Sequence, residues 1–184
     1  MTGRKIFGYF IVLFLLAGIG YGLTGYSWMP EPSALMYTNE RYGLSLSYPD
    51  SYTLQEREVG NGERGHYSIT IIDTVALANL PEAGEGPPSI TIDIYQNDLD
   101  KLTVEQWIRN TSASNFKLSP DEVLIPNSVA GVEGLYYRWD GLYPGESIVI
   151  AHKGNIVVFS ATHLSPDDQI RQDFNRLLGS VVLQ

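Results

Sequence analysis

Ser89-Ile90-Thr91-Ile92-Asp93-Ile94-Tyr95 alternates isoleucine with polar residues, while Ile156-Val157-Val158-Phe159 is apolar at every position. The first pattern is that of a strand with one face buried, because successive side chains leave a strand on opposite sides. The second is that of a strand covered on both faces, at the middle of a sheet. Together they predict a sheet with material packed on each side.

Other strands follow from the same reading. Leu44, Leu46 and Tyr48 share a face with Ser45 and Ser47 opposite, predicting a half-buried strand. Tyr52 to Glu58 and Tyr67 to Asp73 read as strands flanking the turn signal Gly60-Asn61-Gly62. Leu135 to Trp139, Ser147 to Ala151 and Ile156 to Thr162 complete the sheet, with Lys153-Gly154-Asn155 joining the last two as a hairpin. Val181 to Leu183 reads as a closing edge strand.

Two helices are signalled. Thr103 caps Val104 to Asn110, with Gln106 at the capping-box position, Leu102 placed to staple against Trp107, and Val104, Trp107 and Ile108 as the apolar stripe. A second begins at Ser165 with Pro166 in its first turn. It carries Ile170, Phe174, Leu177 and Leu178 on its buried face and ends at Gly179. Ser119-Pro120-Asp121-Glu122 reads as a turn, and Thr74 to Pro88 as one long loop. The fold class is α+β, an α/β/α sandwich with a central, mainly antiparallel sheet, preceded by one N-terminal transmembrane helix.

That helix rests on Ile6 to Leu23, which carries no charge and as a helix would span roughly 27 Å, near the thickness of a bilayer core. Ile6, Phe10, Leu13, Leu16, Ile19 and Leu23 are its apolar markers, and Gly18 and Gly22 form a small-xxx-small pair. Tyr21, Tyr26 and Trp28 suit the outer interface, and Arg4 and Lys5 hold the N-terminus in the cytoplasm. The stretch is longer than a signal-peptide core and lacks a good Ala-x-Ala site, so it is expected to be retained. The predicted organisation is a cytoplasmic N-terminus over residues 1–5, an anchor (or uncleaved signal) over 6–24, a linker over 25–36 and an exported domain over 37–184.

The 184 residues hold no cysteine, which excludes disulfides, thiol nucleophiles and Cys-ligated zinc. With Arg4 and Lys5 set aside, ten basic residues face twenty-one acidic ones, a net charge of −11 on the exported part. That sign disfavours nucleic acid and suits cations or basic partners.

Chemistry-bearing motifs are sparse. Gly60-Asn61-Gly62-Glu63-Arg64-Gly65 spells G-x-G-x-x-G, but a strand and not a helix follows, and Glu63 would repel phosphate. It is a hairpin loop. His152 and His163 lie on the two arms of one predicted hairpin with Glu146 across from His163, where a metal or an acid/base site of a hydrolase is conceivable. Without metal-ligand spacing, the expectation is two solvent-facing histidines. Asp93, Asp98 and Asp100 form an acidic strand end, a weak candidate for a cation sensor. Tyr136, Tyr137, Trp139 and Tyr143 cluster, with Tyr137 and Trp139 on one face. That face is expected to be core, and any exposed remainder a contact patch. Asn110-Thr111-Ser112 is a glycosylation sequon by pattern. No cofactor is implied.

Tyr42-Gly43-Leu44-Ser45-Leu46-Ser47-Tyr48-Pro49 followed by Ser51-Tyr52 resembles the opening of PsbP-like domains. Gly131-Val132-Glu133-Gly134 before paired strands, and a final helix running into Leu178-Gly179-Ser180-Val181, resemble the same family over about Tyr37 to Leu183. Leu44, Tyr52 and Val181 stand where Phe, Trp and Phe are common. The resemblance implies an α/β/α sandwich that is mostly non-enzymatic, with extrinsic photosystem subunits among the plant members and a GTPase-binding relative in eukaryotes. It supplies no catalytic residues. The expected role is a membrane-tethered, non-catalytic accessory module of the cell envelope with a protein partner.

Overall fold

The computed structural model describes residues 33–60, 64–80 and 85–184. The anchor segment and its markers, Ile6, Phe10, Leu13, Leu16, Ile19 and Leu23, lie outside these. Among the described residues no helix is long and apolar enough to cross a membrane.

Residues 33–184 form one compact unit. Its strands are β1 (Ala34–Asn39), β2 (Leu44–Pro49), β3 (Tyr52–Glu58), β4 (His66–Asp73), β5 (Ser89–Gln96), β6 (Ile125–Val129), β7 (Val132–Asp140), β8 (Pro144–His152), β9 (Asn155–Thr162) and β10 (Val182–Leu183). Its helices are α1 (Thr74–Ala78), α2 (Val104–Asn110) and α3 (Gln169–Ser180), with a 3-10 turn at Phe116–Leu118. Seven strands form one sheet in the order β3-β4-β5-β9-β8-β7-β6, and β1-β2-β10 form a second. Every pairing is antiparallel.

β9 occupies the centre of the large sheet, where its apolar run belongs. Ile156, Val157, Val158 and Phe159 are all 3% exposed or less. Phe159 and Val157 point to one face with Ile69, Ile71, Ile90, Ile92, Ile94, Ile148 and Ile150. There they meet Phe174 and Leu177 of α3, and Leu44 and Leu46 of the small sheet. Ile156 and Val158 point to the other face with Val149, Tyr137 and Trp139, beneath Trp107 and Ile108 of α2 and Phe116. The isoleucine alternation of β5 is the signature of its place beside β9, in register Ile92 with Phe159.

Local signals explain several elements. Thr103 and Gln106 make the reciprocal capping box, and Leu102 packs in the cluster that holds Trp107. Lys153 (φ 48°) and Gly154 (φ 75°) make the two-residue turn between β8 and β9. In the Ser119 turn, Ser119 Oγ and Asp121 Oδ1 accept from the Glu122 and Val123 backbones.

Five boundaries differ from expectation. The domain begins at Ser33 rather than Tyr37, because Ala34 to Met36 pair with β2 instead of serving as linker. Thr74 opens a short helix capped by Asp73, whose carboxylate accepts from Ala76 N (2.8 Å), so the long loop is partly helical. Ile125 to Val129 is an edge strand despite Pro126, since an edge tolerates a missing donor. The last helix starts at Gln169, not Ser165. Asp168 folds its carboxylate back onto Leu164 N and Ser165 N (2.7 and 2.9 Å), holding Ser165 to Asp168 as a turn. Gly179 does not end that helix, which runs through Ser180.

Two glycines test this packing. A methyl group on Gly145 would overlap the ring of Trp139, its cross-strand partner. One on Gly179 meets no atom outside its own helix within 4 Å. Gly145→Ala should destabilise by about 1–3 kcal/mol through overpacking. Gly179→Ala should stabilise by about 0.5–1 kcal/mol through helix propensity. Urea unfolding followed by circular dichroism reads both.

Candidate functional site

The aromatic candidates are core. Tyr137 is 1% exposed and donates its hydroxyl to Ser114 O, and Trp139 is 9% exposed and donates Nε1–H to Ser147 Oγ (2.9 Å). Both are thereby removed as binding residues. Tyr136 lies on the opposite face as expected, and Tyr143 is half-buried in the β7–β8 turn.

The histidine constellation does not assemble. His152 pairs with Asn155 at the turn end of the β8–β9 hairpin. His163 N bonds Pro144 O at its open end, eight residues away along β8 and thus roughly 26 Å distant. Glu146 opposes Ala161 and is 6% exposed. Its carboxylate is taken by Arg171 Nε (2.9 Å) and the Tyr136 hydroxyl (3.1 Å). It clamps α3 to the sheet, so it is no general base. Burial and the Glu146 charge push Tyr136 up to about 12. Each histidine is half-buried, with one ring nitrogen, His152 Nε2 or His163 Nδ1, enclosed without a hydrogen-bond partner. Burial, then the Lys153 charge, lowers the His152 imidazole. A second buried carboxylate, Asp173, accepts from the Tyr52 hydroxyl (2.8 Å) and ties the other side of α3.

The acidic strand end also disperses. Asp93 holds His66 Nε2 (2.8 Å) and Asp100 pairs with Arg64, while Asp98 lies by the β8–β9 turn near Gly154. Among the described residues no group of three His, Asp or Glu side chains could hold a metal ion.

What the structure does assemble is a cleft of about 470 Å³ at the sheet end where the β3–β4 and β5–α2 connections meet. His66 and Tyr95 are directly opposed on β4 and β5 and stack at 4.1 Å, and Tyr95 tilts against Trp107 of α2 at 4.9 Å. Asp93 anchors the His66 ring from the same sheet face. Asn97 fixes the loop that delivers α2. Its amide donates to Leu102 O (2.9 Å) and its carbonyl accepts from Leu102 N (3.1 Å). Gln96 Oε1 accepts from Gly65 N (3.0 Å) and so holds the neighbouring connection in place. Arg64, Asp100 and Asn110 add polar groups to the lining. Concave aromatic walls with a few convergent polar groups are the general form of a ligand or peptide pocket.

The sequence named Asp93, Asp98 and Asp100 at this end but not His66, Tyr95 and Trp107 as a unit. The missing signal was the β4–β5 register, which alone sets His66 opposite Tyr95.

Burial, reinforced by the nearby Asp93 charge, raises the Tyr95 phenol above its ordinary value of 10.0. Its hydroxyl has no hydrogen-bond partner among the described residues. The raised value means this stability is intact below pH 10 and is lost as pH climbs beyond it. Tyr95→Phe should therefore leave stability at pH 7 within about 0.5 kcal/mol. It should also make the loss above pH 10 shallower by up to about 1.4 kcal/mol per pH unit. Urea titrations at pH 7, 10 and 11 check both halves.

No protein-family model and no curated protein matches the chain. Among solved structures it is similar to the solution structure of cyanobacterial PsbP (CyanoP) from Synechocystis sp. PCC 6803. The TM-score is 0.53 at 12% sequence identity, over 89% of this chain and 99% of that one. The chain thus has the PsbP-like fold, as the Tyr42–Tyr52 stretch implied.

Proposed function

We propose that this protein is a membrane-tethered, non-catalytic accessory module of the cell envelope, anchored by residues 6–24 and binding a protein partner through the His66–Tyr95–Trp107 cleft. The observation that carries the reading is the position of that cleft. Ser33, where the compact unit begins, is bonded to Asp50 beside the start of β3. The cleft lies at the other end of the strands, around His66 and Gln96. The point where the tether would join and the cleft are thus at opposite ends of the strands.

The PsbP-like fold supports an accessory rather than a catalytic role. The distance of His152 from His163, and the engagement of Glu146 by Arg171 and Tyr136, weigh against the constellation on which a hydrolase reading rested. The net charge of −11 on the residues after the anchor favours a partner with basic groups and disfavours nucleic acid.

Because the chain has no cysteine, single-cysteine variants report cleanly on location. Asn110→Cys should react with a membrane-impermeant maleimide on intact spheroplasts, and Thr2→Cys only after lysis. A photo-crosslinking residue at Asn110 should then capture a discrete partner in native membranes. The same residue at Leu164, which is 68% exposed at the opposite end, should not. Labelling of Thr2→Cys before lysis would overturn the topology, and equal adducts from both positions, or none from Asn110, would overturn the role of the cleft.

A further inference from the structure

We propose that β1 is a self-pairing edge through which two copies of this chain join, β1 adding antiparallel to β1. A free edge presents unpaired backbone donors and acceptors, and proteins commonly guard such edges with charge, proline or shortness. Three of the four edge strands here are guarded. β3 carries Glu56, Arg57 and Glu58. β6 carries Pro126, and its Ser128 N is taken by the Asn127 side chain. β10 has two residues. β1, Ala-Leu-Met-Tyr-Thr-Asn, is six residues long with neither charge nor proline, and it exposes Met36 at 77% and Leu35 at 45%.

Charge selects the occupant. On a surface of net −11, most faces of this domain set against their own copy would bring acid to acid. An unrelated partner could complement that acid with base and would gain little from a neutral strand. A second copy needs a neutral one. Around the strand Asp50 is bonded by Ser33, Glu56 by the Tyr37 and Tyr67 hydroxyls and Glu58 by Arg41, and Glu40 lies just past the strand end.

The chain before β1 permits the arrangement. In an antiparallel pair the two Ser33 ends lie about 20 Å apart. In each copy the eight residues 25–32 together reach up to roughly 26–29 Å when extended, enough for both copies to be tethered to one bilayer. Centred on Met36, Ala34–Thr38 of the two copies make five residue pairs, a small interface below what a stable dimer in solution requires. Confinement in a membrane raises the effective concentration that such a weak contact needs. The pairing rests on the tether proposed above but not on the cleft.

Energy transfer between full-length chains labelled at Glu133→Cys, in liposomes of neutral lipid at decreasing protein density, tests this. The wild-type pair should transfer above the random-proximity level. Met36→Glu with itself, and Met36→Lys with itself, should fall to that level. Mixing Met36→Glu donors with Met36→Lys acceptors should restore transfer, which also shows that the variants are folded. Transfer that persists in Met36→Glu places the contact elsewhere, for example on the Gly18/Gly22 face, and overturns the proposal. So does random-level transfer in the wild type, or a failure of the mixed pair to recover.

Discussion

Everything in this fold depends on β9 being covered from both sides. A strand apolar at every position cannot lie at an edge or on a solvated face without exposing several large aliphatic groups, each worth roughly 1.5–3 kcal/mol when buried. The chain meets that demand by folding α3 and the small sheet onto one face and α2 with the 3-10 turn onto the other. The order of strands follows: β5 and β8, the next most apolar, flank β9, and the mixed strands β3 and β6 are left outside.

The two faces are finished differently. On the first, the isoleucines of β4, β5 and β8 fill the layer, and two buried carboxylates, Glu146 and Asp173, fix α3 through Arg171 and Tyr52. Burying such groups adds little net stability, but leaving either unpaired is costly, so they favour one seating of the helix. On the second face α2 covers the β7–β9 half and reaches Tyr95 of β5. The β4–β5 half presents His66, Ser68, Thr70, Thr91 and Asp93, a polar surface that ends in the cleft. The binding end is thus the incompletely covered part of the same sheet whose centre is sealed.

Much of this architecture was legible in the residues. Strict alternation in Ser89–Tyr95 and its absence in Ile156–Phe159 identified a half-buried and a central strand, and Thr103 with Gln106 marked the start of α2. What escaped had physical reasons. β1 lacks alternation because only its Tyr37 reaches the core. β6 contains Pro126 and is exposed at four of five positions, so no periodicity betrays it. Ser165-Pro166 has the look of a helix start, but Asp168 competes for the same backbone donors and delays the helix by four residues. The candidate site was harder still. His152 and His163 share one hairpin in the sequence but lie at its opposite ends, whereas His66, Tyr95 and Trp107 are far apart in sequence and touch.

The most direct measurement is native-state hydrogen exchange on the full chain. If double-sided burial of β9 organises the molecule, the amides of Val157, Val158 and Phe159 should be among the slowest to exchange. They should open only with global unfolding, while β1, β3 and β6 exchange through smaller openings. Exchange at Val158 and Phe159 as fast as at the edge strands would contradict the account.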